Sequence, residues 1–100
     1  MSKTAEQIRV YGTVQGVGFR PTVYRIAKTL GVCGEVSNDG QGVLIKIMAE
    51  PSTIDEFIQK IHSESPPLAQ IETITRHPLK NVNFLDFNIL PATTTRFVPK

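Results

Sequence analysis

Residues 7–30 read QIRVYGTVQGVGFRPTVYRIAKTL, and the apolar period changes once along them. From Gln7 to Thr13, Ile8 and Val10 alternate with Arg9 and Tyr11. A period of two puts one face of a strand against a core. Further on, Val23, Ile26, Ala27 and Leu30 stand at i, i+3, i+4 and i+7, which lines one side of a helix. Pro21 suits the first helical turn, where an amide proton would go unused, and Gly31 suits a left-handed stop. Between the two patterns lies Val14 to Arg20, with Gly16 and Gly18 and neither period.

Outward from this unit, Cys33 to Asn38 reads as a short strand and Asp39-Gly40-Gln41-Gly42 as a tight connection. Val43, Ile45 and Ile47 then alternate with Leu44, Lys46 and Met48, so the pair forms a hairpin. Pro51 announces a second helix, with Ser52 or Thr53 as its cap and Asp55 or Glu56 reaching back. Ile54, Phe57, Ile58 and Ile61 form its apolar side, and Pro66-Pro67 ends it. Ile71 to Arg76 and Phe84 to Ile89 alternate again, the second placing Leu85, Phe87 and Ile89 on one face. Strand, helix, two strands, helix, strand is the split βαβ order. The expected fold is therefore α+β and ferredoxin-like (βαββαβ), an antiparallel sheet with two helices on one face. Residues 1–90 make the domain, and 91–100, opening Pro91-Ala92-Thr93-Thr94-Thr95, read as a tail or the start of a linker.

A chain of 100 residues, 40% hydrophobic and 20% charged, carries one ordinary domain with a core of its own. Its single cysteine, Cys33, excludes an internal disulfide and a multi-cysteine zinc site. A reducing cytoplasm is the expected setting, and Cys33 is expected to be a small buried residue. The net charge of +2 is spread along the chain rather than clustered, so no nucleic acid is expected as partner. No apolar stretch approaches the roughly 20 residues that span a bilayer, so no membrane is expected either. Split βαβ domains serve many functions, and the fold alone does not choose among them.

The choice comes from residues 12–21, Gly-Thr-Val-Gln-Gly-Val-Gly-Phe-Arg-Pro. Glycines permit positive φ, which turns successive backbone N–H groups inward around an anion. The following helix N-terminus adds orphan donors and a positive dipole end. Arg20 brings a guanidinium able to grip two phosphate oxygens, and Pro21 biases Arg20 toward an extended pose. No Gly-Lys-Ser/Thr follows, and Pro21 stands where a dinucleotide fingerprint needs glycine, so neither of those nucleotide motifs is present.

Gly-Thr-Val-Gln-Gly-Val-Gly-Phe-Arg at 12–20, Leu-Gly-Val-Cys-Gly-Glu-Val-Ser-Asn at 30–38 and Gly42-Val43 resemble the acylphosphatase family over about residues 7–90. The resemblance implies hydrolysis of a carboxyl-phosphate anhydride. Arg20 and the backbone amides of Gln15, Gly16, Val17, Gly18 and Phe19 would bind the phosphate, and Asn38 would orient the attacking water. With a good leaving group, such chemistry needs positioning and charge neutralisation more than a covalent nucleophile, and no metal or cofactor is expected. Asn38 is no base at neutral pH, so the proton passes to the substrate or to solvent.

Arg20-Pro21-Thr22-Val23-Tyr24-Arg25 and Pro66-Pro67-Leu68-Ala69-Gln70-Ile71 are similar to the first domain of hydrogenase-maturation carbamoyltransferases. That similarity implies carbamoyl phosphate as substrate, further domains in the same polypeptide and a maturation partner protein. The alternatives are a free-standing acylphosphatase of general specificity and a phosphate-binding regulatory module without turnover. RNA binding across the sheet would need exposed aromatics, and Val43 to Ala49 has none.

Plainer readings cover the other polar and aromatic residues. His62 ends a helix, and His77 precedes Pro78 in a turn. Asp39 begins an Asp-Gly turn beside Asn38. Tyr11 and Phe19 are candidates for the acyl pocket, or for simple packing.

Overall fold

The computed structural model describes residues 3–90. It contains β1 (Thr4–Thr13), α1 (Phe19–Leu30), β2 (Cys33–Asn38), β3 (Val43–Ala49), α2 (Pro51–Glu64), β4 (Gln70–Leu79) and β5 (Phe87–Ile89). The sheet order is β4-β1-β3-β2-β5. The first four strands pair antiparallel as expected, whereas β5 joins β2 in parallel, with Gly34 opposite Phe87 and Val36 opposite Ile89. The sheet is thus mixed, because the chain leaves β4 at one edge and lays its last segment on β2 at the opposite edge.

One face of the sheet carries both helices. Ile8 and Val10 of β1, Val36 of β2 and Val43, Ile45 and Ile47 of β3 are fully buried against Val23, Ile26 and Ala27 of α1 and Ile54, Phe57 and Ile61 of α2. Burial of each such side chain contributes on the order of 1.5–3 kcal/mol, which is the main favourable term holding the layers together. The other face is half-exposed.

Several local expectations need correction. α1 begins at Phe19, so Arg20 is its second residue and helical, not extended. The preference that Pro21 imposes on its predecessor is outweighed by burial of Phe19, 1% exposed, in the core. Pro21 still falls in the first turn. α2 begins at Pro51 with Glu50 as N-cap in an extended conformation and no side-chain cap. The Glu50 carbonyl takes the amides of Thr53 and Ile54, leaving Ser52 and Thr53 inside the turn they were expected to cap. Gly31 does stop α1 in the left-handed region, at φ 72.

β4 is longer than the alternation implied, and Ile71 and Ile74, three apart, both pack on the core. The ladder slips between Tyr11 and Gly12, so Gly12 faces Ile71 while Tyr11 faces Thr73 and Glu72 is bulged out. One extra residue restores an apolar position to the inner face. β5 is shorter than expected: Phe87 is buried but Leu85 is 91% exposed. Cys33 is half-buried rather than interior, because it starts β2 at a position opposite Met48, on the face away from the helices. Residues 91–100, expected as a tail, lie outside the described residues.

Lys28 near the end of α1 bonds Asp86 ahead of β5 at 2.8 Å. The Lys28 ammonium, then the Phe87 amide, hold the Asp86 carboxyl below its ordinary range, and Asp86 in turn raises Lys28. The depressed carboxyl stabilises the fold above its unfolded value of about 3.9 and loses this as pH falls through the folded value. The raised ammonium stabilises below its unfolded value of about 10.4 and loses this as pH rises through the folded one. Lys28→Met should therefore lower the urea midpoint at neutral pH, and the gap from wild type should close under acid. Urea titrations at neutral and acid pH check this; an unchanged gap in acid refutes it.

Candidate functional site

The loop from Val14 to Gly18 leaves β1 and delivers the chain to α1. Val14, 1% exposed, anchors it in the core. Gly16 has φ 74 and Gly18 φ 82, a left-handed conformation that side chains rarely adopt. Val17 between them does not share it, so the sign of φ alternates along the loop, a pattern that can turn successive N–H groups toward an anion. A Cβ built at either glycine meets nothing within 4 Å. The glycines are required for backbone angle, and the space above them is open to a ligand.

Among the described residues, no acceptor takes the amides of residues 15–20. The first α1 amide with a partner is Thr22, which donates to Gly18 O at 3.3 Å while its hydroxyl donates to the same carbonyl at 3.0 Å. Pro21 has no amide to satisfy. A group of backbone donors without a partner among the described residues is thereby left at the positive end of a helix.

Arg20 reaches from α1 to the far end of the chain, where its Nη1 donates to the Leu90 carbonyl at 2.9 Å. Leu90 is itself fixed by donating its amide to Val36 O at 2.8 Å. Among the described residues, one of its five guanidinium donors is thus used. Sequence reading found Arg20 but had no means of finding Leu90, since a main-chain acceptor leaves no side-chain signature.

Asn38 ends β2 opposite Val43, two residues after the buried Val36, and so belongs to the helix-bearing side. Its Oδ1 is buried with no hydrogen-bond partner among the described residues. An orphaned acceptor of this kind costs about 1–3 kcal/mol unless something donates to it. Next to it, Asp39 Oδ1 accepts the Gln41 amide at 3.1 Å, the expected turn, and its Oδ2 is also paired with Arg9 of β1. Gln15 Nε2 donates to the Gly42 carbonyl at 3.0 Å, joining the glycine loop to the β2–β3 turn. A Cβ at Gly42 would stand 2.2 Å from Val10 O, so that turn lies hard against β1.

Two aromatic candidates for an acyl pocket do not hold up. Phe19 is buried in the core, leaving only its amide at the site, and Tyr11 is on the β1 face away from the helices. His62 is exposed near the end of α2, and His77 lies within β4 rather than in a turn. Two surface grooves, of about 380 and 280 Å³, sit at the other end of β1 around Lys3 and Met48, away from Arg20 and Asn38. An anion held on backbone amides needs a lip of donors, not an enclosed cavity.

Comparison with known proteins bears on what this lip binds. Residues 6–89 match the family model for acylphosphatase. Carbamoyltransferase HypF2 of Cupriavidus necator is 47% identical over 68% of this chain and 8% of its own length. An acylphosphatase of Lacticaseibacillus paracasei is 38% identical over 89% of this chain and 98% of its own. The crystal structure of full-length HypF in its phosphate- and nucleotide-bound form superposes with a TM-score of 0.86 and 34% identity, over 93% of this chain and 13% of that one. The chain thus spans about a tenth of the carbamoyltransferases it matches and nearly all of the acylphosphatase. No helix of the described residues is long and apolar enough to cross a membrane.

Proposed function

This chain belongs to the acylphosphatase family and is an enzyme hydrolysing acyl phosphates, and from that premise we propose that residues 15–20 and Asn38 are its active site and carbamoyl phosphate its substrate. The observation that carries the site is the set of unpartnered amides around Gly16 and Gly18 with Arg20 rooted in the same helix start.

The phosphoryl group needs compensation for charge on three oxygens as it transfers, and positioned donors supply it without reorganising. The loop amides and Arg20 take those oxygens. Asn38 Oδ1, which lacks a protein donor, accepts an O–H of the water and aims its oxygen at phosphorus from the side opposite the acyl oxygen. A water oxygen–phosphorus bond forms as the phosphorus–acyl oxygen bond breaks, releasing carboxylate and phosphate. The surplus water proton goes to the substrate or to solvent, since Asn38 cannot hold it.

Carbamoyl phosphate gives carbamate and phosphate by the same step. Support for it is the identity to carbamoyltransferases, which extends at 41% over 90% of the chain to a probable HypF of Methanocaldococcus jannaschii. In this reading the domain works in the cytoplasm, upstream of further domains of a longer polypeptide and a hydrogenase-maturation partner that receives the carbamoyl group. The second reading, an acylphosphatase of general specificity, is favoured by the full-length match to the Lacticaseibacillus enzyme.

Phosphate release from carbamoyl phosphate and from benzoyl phosphate separates them. The carbamoyl reading expects kcat/KM for carbamoyl phosphate to equal or exceed that for benzoyl phosphate. Turnover of benzoyl phosphate alone supports the general enzyme, and turnover of neither refutes the hydrolytic site.

A further inference from the structure

The phosphate loop and Asn38 come from separate parts of the chain, the β1–α1 connection and the end of β2, and no covalent path shorter than α1 joins them. Their spacing matters because an attacking water misplaced by about 1 Å can lower a rate on the order of 10²-fold. Two contacts set that spacing. From the loop, the Gln15 carboxamide donates to the Gly42 carbonyl, which also takes the Asp39 amide at 3.2 Å. From the outer face of the sheet, Arg9 pairs with Asp39, both side chains about four-fifths buried at 19% and 18% exposure. Asp39 follows Asn38 directly and Gly42 closes the same turn, so both contacts act on the four-residue connection that carries Asn38.

We propose that the Gln15 side chain and the Arg9–Asp39 pair position Asn38, clamping the β2–β3 turn to the phosphate loop on one side and to β1 on the other. Gln15 is then bifunctional: its amide belongs to the anion lip and its side chain is a tie. None of the three side chains touches the reacting atoms; all act through Asn38. The inference rests on the proposed role of Asn38.

A double-mutant cycle tests it, because a residue acting only through Asn38 loses its influence when Asn38 is gone. Gln15→Ala keeps the backbone amide and removes the tie. It should lower kcat about tenfold or more while KM and inhibition by inorganic phosphate stay within about twofold. In an Asn38→Leu background the same substitution should change kcat by less than about twofold. The double variant Arg9→Met with Asp39→Asn, which deletes the ion pair without a net charge change and keeps the turn acceptor, should behave likewise. An equal loss in both backgrounds, or a change in KM alone, overturns the clamp. If Asn38→Leu itself leaves turnover intact, it is the assignment of Asn38 that fails, a distinguishable result.

Discussion

Arg20→Ala should lower kcat/KM for an acyl phosphate by about 10³-fold or more, the range seen when a charge-stabilising arginine is removed from phosphoryl transfer. The backbone amides of residues 15–20 remain in place in this variant, so the loss measures what a guanidinium adds to a neutral lip. It adds a full charge and two parallel donors where amides give partial charges. Arg20→Lys restores the charge but not the fork, and should recover only part of the rate. Inorganic phosphate should lose affinity in the same order, because it presents the same oxygens.

The fold should survive, since Arg20 is half-exposed and its hydrogen bond to the Leu90 carbonyl is worth about 1.5–3 kcal/mol. Urea midpoints for the three proteins, with kcat and KM on benzoyl phosphate, test both halves. Turnover of Arg20→Ala within about tenfold of wild type would remove Arg20 from the site.

What the sequence made legible follows the range over which each device acts. The glycine loop and both helices are local, and periodicity with Gly31 found their spans to within a few residues. The start of α1 was misread because a short-range rule, proline's effect on Arg20, competed with burial of Phe19, which only the tertiary structure decides. Ile71 and Ile74 break strict alternation, and nothing in their own segment announces that Glu72 is bulged; the bulge is set by Gly12 on the neighbouring strand. The same holds for β5, whose parallel partner is fixed by a crossover rather than by its own residues.

Within the site, Arg20 and Asn38 were found through a motif. The Leu90 carbonyl, the Gly42 carbonyl and the unpartnered state of the Asn38 oxygen were not, as they are properties of main-chain geometry and burial. Sequence names the candidate side chains; the backbone contacts that hold them are visible only in the fold.

Asn38→Leu should separate activity from stability in the opposite sense to a core substitution. In the folded protein the buried Asn38 oxygen has no donor among the described residues, and until a water donates to it this costs about 1–3 kcal/mol relative to an apolar group of similar shape. Leucine fills nearly the same volume, suits the strand end opposite Val43 and leaves no acceptor unsatisfied. Its urea midpoint should therefore equal or exceed that of the wild type.

Catalysis should fall, because in the proposed site the water loses the Asn38 acceptor that aims it. A kcat reduction of about 10²–10³ is the scale of one preorganised hydrogen bond lost from a transition state. KM and phosphate inhibition should hardly move, since Arg20 and the loop amides are untouched. That pattern is the reverse of Arg20→Ala, which weakens phosphate binding as well as rate, and together the two variants divide the site into an anion-holding half and a water-aiming half. A lowered midpoint with unchanged kcat would make Asn38 a structural residue. A rise in stability with the loss of kcat would identify its exposed cost as the strain that function retains.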